Sequence, residues 1–74
     1  MTAVARAYEE GLKLSAQGQH ALAIEHYEQA LAQTPNDTRV LFALGNTARA
    51  LGMARPAEAF FRQVLALEPG RLKR

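Results

Sequence analysis

The apolar positions of this chain fall into four runs, and each run closes on a glycine or a proline. Gly18 closes the first, Pro35-Asn36-Asp37 the second, Gly52 the third and Pro69-Gly70 the fourth. Such residues punctuate regular structure because they set or free the backbone locally. Between them stand mainly alanine, leucine, glutamate, glutamine and arginine, all good helix formers. Apart from threonines, the β-branched residues are only Val4, Ile24, Val40 and Val64, so strands are not expected. The pattern predicts four helices over 3–17, 21–33, 38–51 and 56–67.

The helix ends carry suitable residues. Asp37 is placed to accept from the free amides that open the third helix. Pro56 suits the first turn of the fourth, where no amide donor is needed. Gly18 and Gly52 tolerate the left-handed conformation that ends a helix. The loops are short, which favours antiparallel neighbours.

Shifting the sequence by 34 residues superposes it on itself. Gly11 then falls on Gly45, Ala16 on Ala50, Gly18 on Gly52 and Ala23 on Ala57. Gln29 falls on Gln63, Leu31 on Leu65, Ala32 on Ala66 and Pro35 on Pro69. Tyr8 meets Phe42, and Tyr27 meets Phe61. Many of the matches have steric reasons to recur. Gly11, Gly45, Ala23 and Ala57 let paired helices approach, and Tyr27 and Phe61 are expected to fill the space between pairs.

The repeated residues resemble the tetratricopeptide repeat, whose pattern runs W-x2-L-G-x2-Y, then A-x3-F, then P. The second copy reads Leu41-x2-Leu44-Gly45-x2-Ala48, then Ala57-x3-Phe61, then Pro69. The first reads Ala7-x2-Glu10-Gly11-x2-Leu14, then Ala23-x3-Tyr27, then Pro35. Ala7 and Leu41 replace the tryptophan. Glu10 replaces a leucine and is expected to be exposed at the N-terminal end, because a buried carboxylate is costly. The resemblance covers residues 4–71. It implies an all-α domain of two helix-turn-helix units, 4–37 and 38–71, in a short right-handed solenoid segment. Residues 72–74 are then a tail or the start of a third unit.

In that family the first helices of each pair line a concave groove for peptides. The corresponding stripes here are Ala5, Tyr8, Leu12 and Ser15, and Arg39, Phe42, Asn46 and Arg49. Their spacings of three, four and three put each set on one helix face. Arg39 and Arg49 are suited to partner carboxylates, Asn46 to a peptide amide, and Tyr8, Leu12 and Phe42 to apolar contact. The alternative places Tyr8 and Phe42 in the core and leaves the arginines solvated. The clamp of chaperone-binding relatives needs lysine where Tyr8 stands and asparagine where Leu12 stands. Both are absent, which argues against acidic chaperone tails as ligands.

Composition then narrows the function. The chain has 74 residues, and a domain of this size buries only about 60% of its unfolded surface. Of its apolar residues 15 are alanine, which suits thin packing between close helices. A self-contained enzyme site needs more scaffold. Repeat arrays generally need about three units, so the second unit is expected to present an uncovered apolar face. Leu51, Phe60, Val64 and Leu67 are the candidates. Such a face suits either a further repeat or self-association into a homo-oligomer.

Net charge is +2, but it is unevenly spread. Residues 1–37 carry two cationic and five acidic side chains, 2 − 5 = −3; residues 38–74 carry seven and two, 7 − 2 = +5. Head-to-tail stacking of copies would pair these halves, with simple solvation as the alternative.

The remaining chemistry is sparse. There is no cysteine, hence no disulfide or thiolate metal site. His20 and His26 do not share a helix face, so no metal or other cofactor is expected. Ser15 and the threonines lack a histidine at catalytic spacing, and no glycine loop cradles phosphate. Arg71, Lys73 and Arg74 form a basic tail, but neither aromatic platforms nor a long basic stripe supports nucleic-acid binding. Membrane contact is likewise unexpected: no apolar run approaches the span length of about 18 residues, and no helix is both strongly basic and strongly apolar on opposite faces. The start lacks the features of a secretory signal, so a cytoplasmic location is expected. The sequence thus predicts a non-catalytic protein-interaction module, or a structural repeat segment that self-associates or serves as the N-terminal adaptor arm of a larger multi-repeat protein or enzyme.

Overall fold

The computed structural model describes residues 3–70. It contains α1 (Ala3–Ala16), α2 (His20–Gln33), α3 (Thr38–Ala50) and α4 (Ala54–Leu67). The described residues are all-α. α1 pairs with α2 and α3 with α4, while α3 also packs on α2 and joins the two hairpins. The Cα radius of gyration is 11.6 Å, about what a globular chain of this length shows. The two hairpins therefore form one body.

Both hairpins turn in the same way. Gly18 and Gly52 have φ of 80° and 76°, a conformation that costs glycine nothing and other residues much. Each glycine and the residue after it fold back on the last turn of the preceding helix. Gly18 N–H donates to Ser15 O and Gln19 N–H to Leu14 O; Gly52 N–H donates to Arg49 O and Met53 N–H to Ala48 O. This is the Schellman arrangement, in which a glycine lets the free carbonyls of a helix end be satisfied. Prolines set the other junctions. Thr34 (φ −134°, ψ 84°) and Glu68 (φ −138°, ψ 79°) precede Pro35 and Pro69 and have left the helical region. A proline clashes with a helical residue before it, so α2 and α4 end there.

The helices begin earlier or end sooner than the sequence suggests. Gln17 and Leu51 lie just outside α1 and α3, because the glycine after each draws it into the turn. α2 starts at His20 and α4 at Ala54. Pro56 is thus the third residue of α4, still within the first turn whose amides have no helical acceptor. Asp37 caps α3 as expected, its carboxylate accepting from Arg39 N–H at 3.0 Å.

The core runs through both hairpins. Ala7, Ala23, Tyr27, Ala30, Val40 and Leu44 form one buried cluster. Gly11 is buried beneath the Tyr27 ring, and a Cβ there would overlap its Cε1 and Cδ1. Gly45 stands in the same way beneath Phe61, with the ring's Cε1 2.5 Å from where a Cβ would lie. Each aromatic therefore first fills the space inside its own hairpin, not only the space between hairpins. At the start of α3, Thr38 Oγ1 donates to Glu68 Oε2 at 2.7 Å, tying it to the end of α4.

Candidate functional site

α1 and α3 lie on the same side of the two hairpins, and a depression of about 280 Å³ opens between them. Tyr8, Leu12 and Ser15 line it from α1, and Arg39, Phe42 and Asn46 from α3. The three-four spacing produces this, because it returns to one helix face every turn. Six of the eight stripe positions thus meet in one place. Ala5 and Arg49 do not line the depression; Arg49 bonds Asn46 and turns toward α4, where it lines a second groove with Ala54 and Phe61.

The aromatics are neither wholly core nor wholly surface. Tyr8 and Phe42 are half-buried. Tyr8 packs on Tyr27 with ring centroids 6.1 Å apart, and Phe42 meets Phe61 edge-on at 5.6 Å. Leu12 is 43% exposed, so the depression offers real apolar surface. Tyr27 forms its floor. Burial pushes the Tyr27 phenol above its usual range, the nearby Tyr8 adds to this, and the Thr47 hydroxyl acts in the opposite sense. At neutral pH Tyr27 is a neutral wall.

The two arginines differ. Arg39 donates to Asp37 from Nε (3.3 Å) and from Nη2 (3.1 Å), and its guanidinium lies 5.2 Å from the Tyr8 ring centroid. These bonds hold the Asp37 carboxyl below the usual carboxylate range. Arg39 is therefore already matched with a carboxylate and frames the site instead of offering free charge. Among the described residues Arg49 bonds only the neutral Asn46 Oδ1, at 3.3 Å, and lies 6.0 Å from the Phe61 ring centroid. It is the cation of the pair that remains open to an anionic group.

The expected assembly face does not form one surface. Val64 is fully buried and Phe60 packs against the core; only Leu51 and Leu67 are exposed. Helical rotation explains this correction. Ala57, Phe60 and Val64 recur at three and four residues and face inward, whereas Ala54, Phe61 and Leu65 point to the uncovered side. Those three, with Ala57 between them and Arg49, Glu58 and Arg62 around them, line an open apolar groove at the end of the second hairpin. Spacing alone could not phase α4, because both of its sides are apolar. The other end follows expectation: Glu10 is exposed and pairs with Lys13 at 3.6 Å.

One pairing was missed. Ser15 Oγ and His20 Nδ1 are 3.3 Å apart, bridging the Gly18 turn. The turn brings together residues that no single helix would. No hydrogen bond orients the other His20 nitrogen among the described residues, so the pair lacks the third member that activates a serine. Its visible role is to tie α1 to α2. Among the described residues no cluster of three or more potential metal ligands occurs, and no helix is long and apolar enough to cross a membrane. Arg71, Lys73 and Arg74 lie outside the described residues.

No match was found among curated proteins. The tetratricopeptide repeat profile matches residues 14–74, most of the chain. With two helical hairpins turning on equivalent glycines and prolines, and an aromatic ring seated over a glycine in each, the chain belongs to the tetratricopeptide repeat family.

Proposed function

We propose that this chain is a non-catalytic protein-interaction module that holds a segment of a partner protein in the depression between α1 and α3. The carrying observation is that Tyr8, Leu12, Ser15, Phe42 and Asn46 converge there with Leu12 well exposed. Tetratricopeptide repeats generally mediate protein–protein interaction and are generally non-catalytic, which supports the reading. An apolar partner side chain would rest against Tyr8, Leu12 and Phe42. Asn46 offers both a donor and an acceptor to a peptide amide. Arg49, with no carboxylate partner among the described residues, would take an acidic side chain or terminus.

The test is capture of partners on immobilised chain, compared across variants. Leu12→Glu and Asn46→Ala should remove a partner held in the depression, and Arg49→Glu should select against acidic segments. Arg55→Glu, on the exposed start of α4, should change nothing. Equal capture by all of these variants would refute the groove.

The second reading, a structural segment that associates with itself, is favoured by the open groove on α4. Sedimentation across a range of concentrations decides it. A chain that stays monomeric at high micromolar concentration is not a self-assembling one.

A further inference from the structure

The two hairpins turn alike but present different tips. Shifting by 34 residues sets Arg49, Leu51, Met53 and Arg55 of the second turn on Ser15, Gln17, Gln19 and Ala21 of the first. Glutamines on either side of Gly18 form the same hydrogen-bonded turn, so the turn itself does not require Leu51 or Met53. Both are nevertheless exposed, at 42% and 43%. Neither Arg49 nor Arg55 has a carboxylate partner among the described residues, and no acidic residue occurs from 38 to 57. Apolar side chains exposed singly are ordinary; two on one tip, rimmed by cations, mark a contact surface.

The first hairpin shows what a following unit covers. α3 packs on α2, and Tyr27 is sealed to 1% exposure, yet Gln17, Gly18 and Gln19 stay exposed. A unit stacked on the second hairpin in the same way would leave Leu51 and Met53 open.

The complement of this tip lies on α2. Leu22, Glu25 and Glu28 occupy the side of that helix opposite Ala23, Tyr27 and Ala30, which face the core. Leu22 is 45% exposed. Both glutamates are exposed, and neither pairs with a cation among the described residues. The second hairpin has Pro56, Ala59 and Arg62 at the equivalent positions, so it lacks this surface as the first hairpin lacks the other. Each chain thus carries an apolar tip with two cations and an apolar helix face with two carboxylates. Here the acidic and basic halves of the chain are complementary. Stacked end to end they are not. That contact would set Arg6, Glu10 and Lys13, the equivalents of buried Val40, Leu44 and Thr47, against the exposed apolar side of α4.

We propose that the second turn of one copy docks on the outer face of α2 of another. Leu51 and Met53 rest on Leu22, and Arg49 and Arg55 meet Glu25 and Glu28. A lipid surface suits the tip less well, because its two side chains carry fewer carbons than one acyl chain, itself only a marginal membrane anchor. The contact is small, hence weak and salt-sensitive. One tip and one face per chain make it heterologous, so copies line up or close into rings. The proposal rests on the self-association reading, but it uses neither the depression between α1 and α3 nor the open groove on α4.

Sedimentation of the full chain tests it, with variants drawn from the repeat's own residues. The mass of the native chain should rise with concentration up to the high micromolar range. Its affinity should fall at least about fivefold between about 0.02 and 0.5 M salt. Leu51→Gln with Met53→Gln gives the second tip the residues of the first. Glu25→Ala with Glu28→Arg gives α2 the residues of α4. Each double variant should keep its helicity by circular dichroism and lose at least about tenfold in affinity. Mixed in equal amounts, the two should form a one-to-one pair, because the intact tip of one meets the intact α2 of the other. Leu65→Glu and Leu12→Glu should leave association unchanged. A native chain that stays monomeric at high micromolar concentration and low salt overturns the proposal together with the self-association reading. Association lost in Leu65→Glu, kept by either double variant, or not restored by mixing overturns the proposal alone. Capture of a monomeric chain by phosphatidylserine vesicles, lost in the tip variant, overturns it in favour of a lipid surface.

Discussion

Tyr27 and Phe61 occupy one position in two copies of the same hairpin, yet their surroundings differ. Each ring lies over a buried glycine. Tyr27 is then sealed by α3 to 1% exposure, while Phe61 keeps a free side. Even the chemistry follows. The buried phenol has the Thr47 hydroxyl of the covering helix beside it. Phe61, with no described helix over it, carries no hydroxyl needing a partner. An interior unit and an end unit can thus share a backbone while one is a core and the other an interface. Covering decides between them, as expected where each unit is stabilised mainly by its neighbours.

That contrast is open to attack at several strengths. The largest effect is expected at Tyr27. Tyr27→Ala should cost about 3–5 kcal/mol, a large share of what holds a small domain folded, whereas Phe61→Ala should cost only about 1–2 kcal/mol for its partial burial. Urea unfolding followed by circular dichroism measures both. Equal losses would mean that Phe61 is as enclosed as Tyr27.

A smaller difference is expected at the glycines. Alanine in a helix gains about 1 kcal/mol over glycine, but overpacking costs about 1–3 kcal/mol. Gly11→Ala meets a ring held on all sides and should be destabilising by about 1 kcal/mol. Gly45→Ala meets a ring with room to swing and should be close to neutral. The same unfolding curves report the sign of each.

Asp37 tests the joint between the hairpins. Asp37→Ala should lose about 1 kcal/mol at neutral pH. The folded-state pKa of Asp37 is lowered, chiefly by its bonds to Arg39. Its contribution is therefore full above the unfolded value of about 3.9 and is lost as pH falls through the lowered folded value. The two proteins should differ most above pH 4 and draw together as pH falls below it.

The smallest effect is expected on the open face. Leu65→Glu should change stability by no more than about 0.5 kcal/mol, while Leu31→Glu, at the covered equivalent, should be clearly destabilising. Thermal melts of the pair sharpen the comparison from the surface side.

The fold was legible because its punctuation has steric causes. Gly18 and Gly52 end helices in a conformation glycine tolerates, and Pro35 and Pro69 forbid the residue before them from staying helical. The 34-residue recurrence of these residues gave the two hairpins. The depression was legible for a similar reason, since helical spacing alone aligned Tyr8, Leu12 and Ser15 with Phe42 and Asn46. The pairing of Arg39 was not. Its partner Asp37 is two residues away, and only the cap geometry turns that neighbour into a matched carboxylate. Nor was the open face, because alanine, phenylalanine, valine and leucine occur around most of α4. Which side α3 takes depends on packing, and Val64 went inward where sequence had placed it outward. The Ser15–His20 contact likewise depends on a turn whose path is set by Gly18.

Amide hydrogen exchange on the monomeric chain tests the central contrast most directly. α2 and α3, enclosed by neighbours, should exchange slowest, at rates set by global unfolding, and α4 should exchange measurably faster through local opening at its uncovered side. Protection of α4 equal to that of α2, at a concentration where sedimentation shows one chain per particle, would contradict the account. The face read here as open would then be covered within the chain itself.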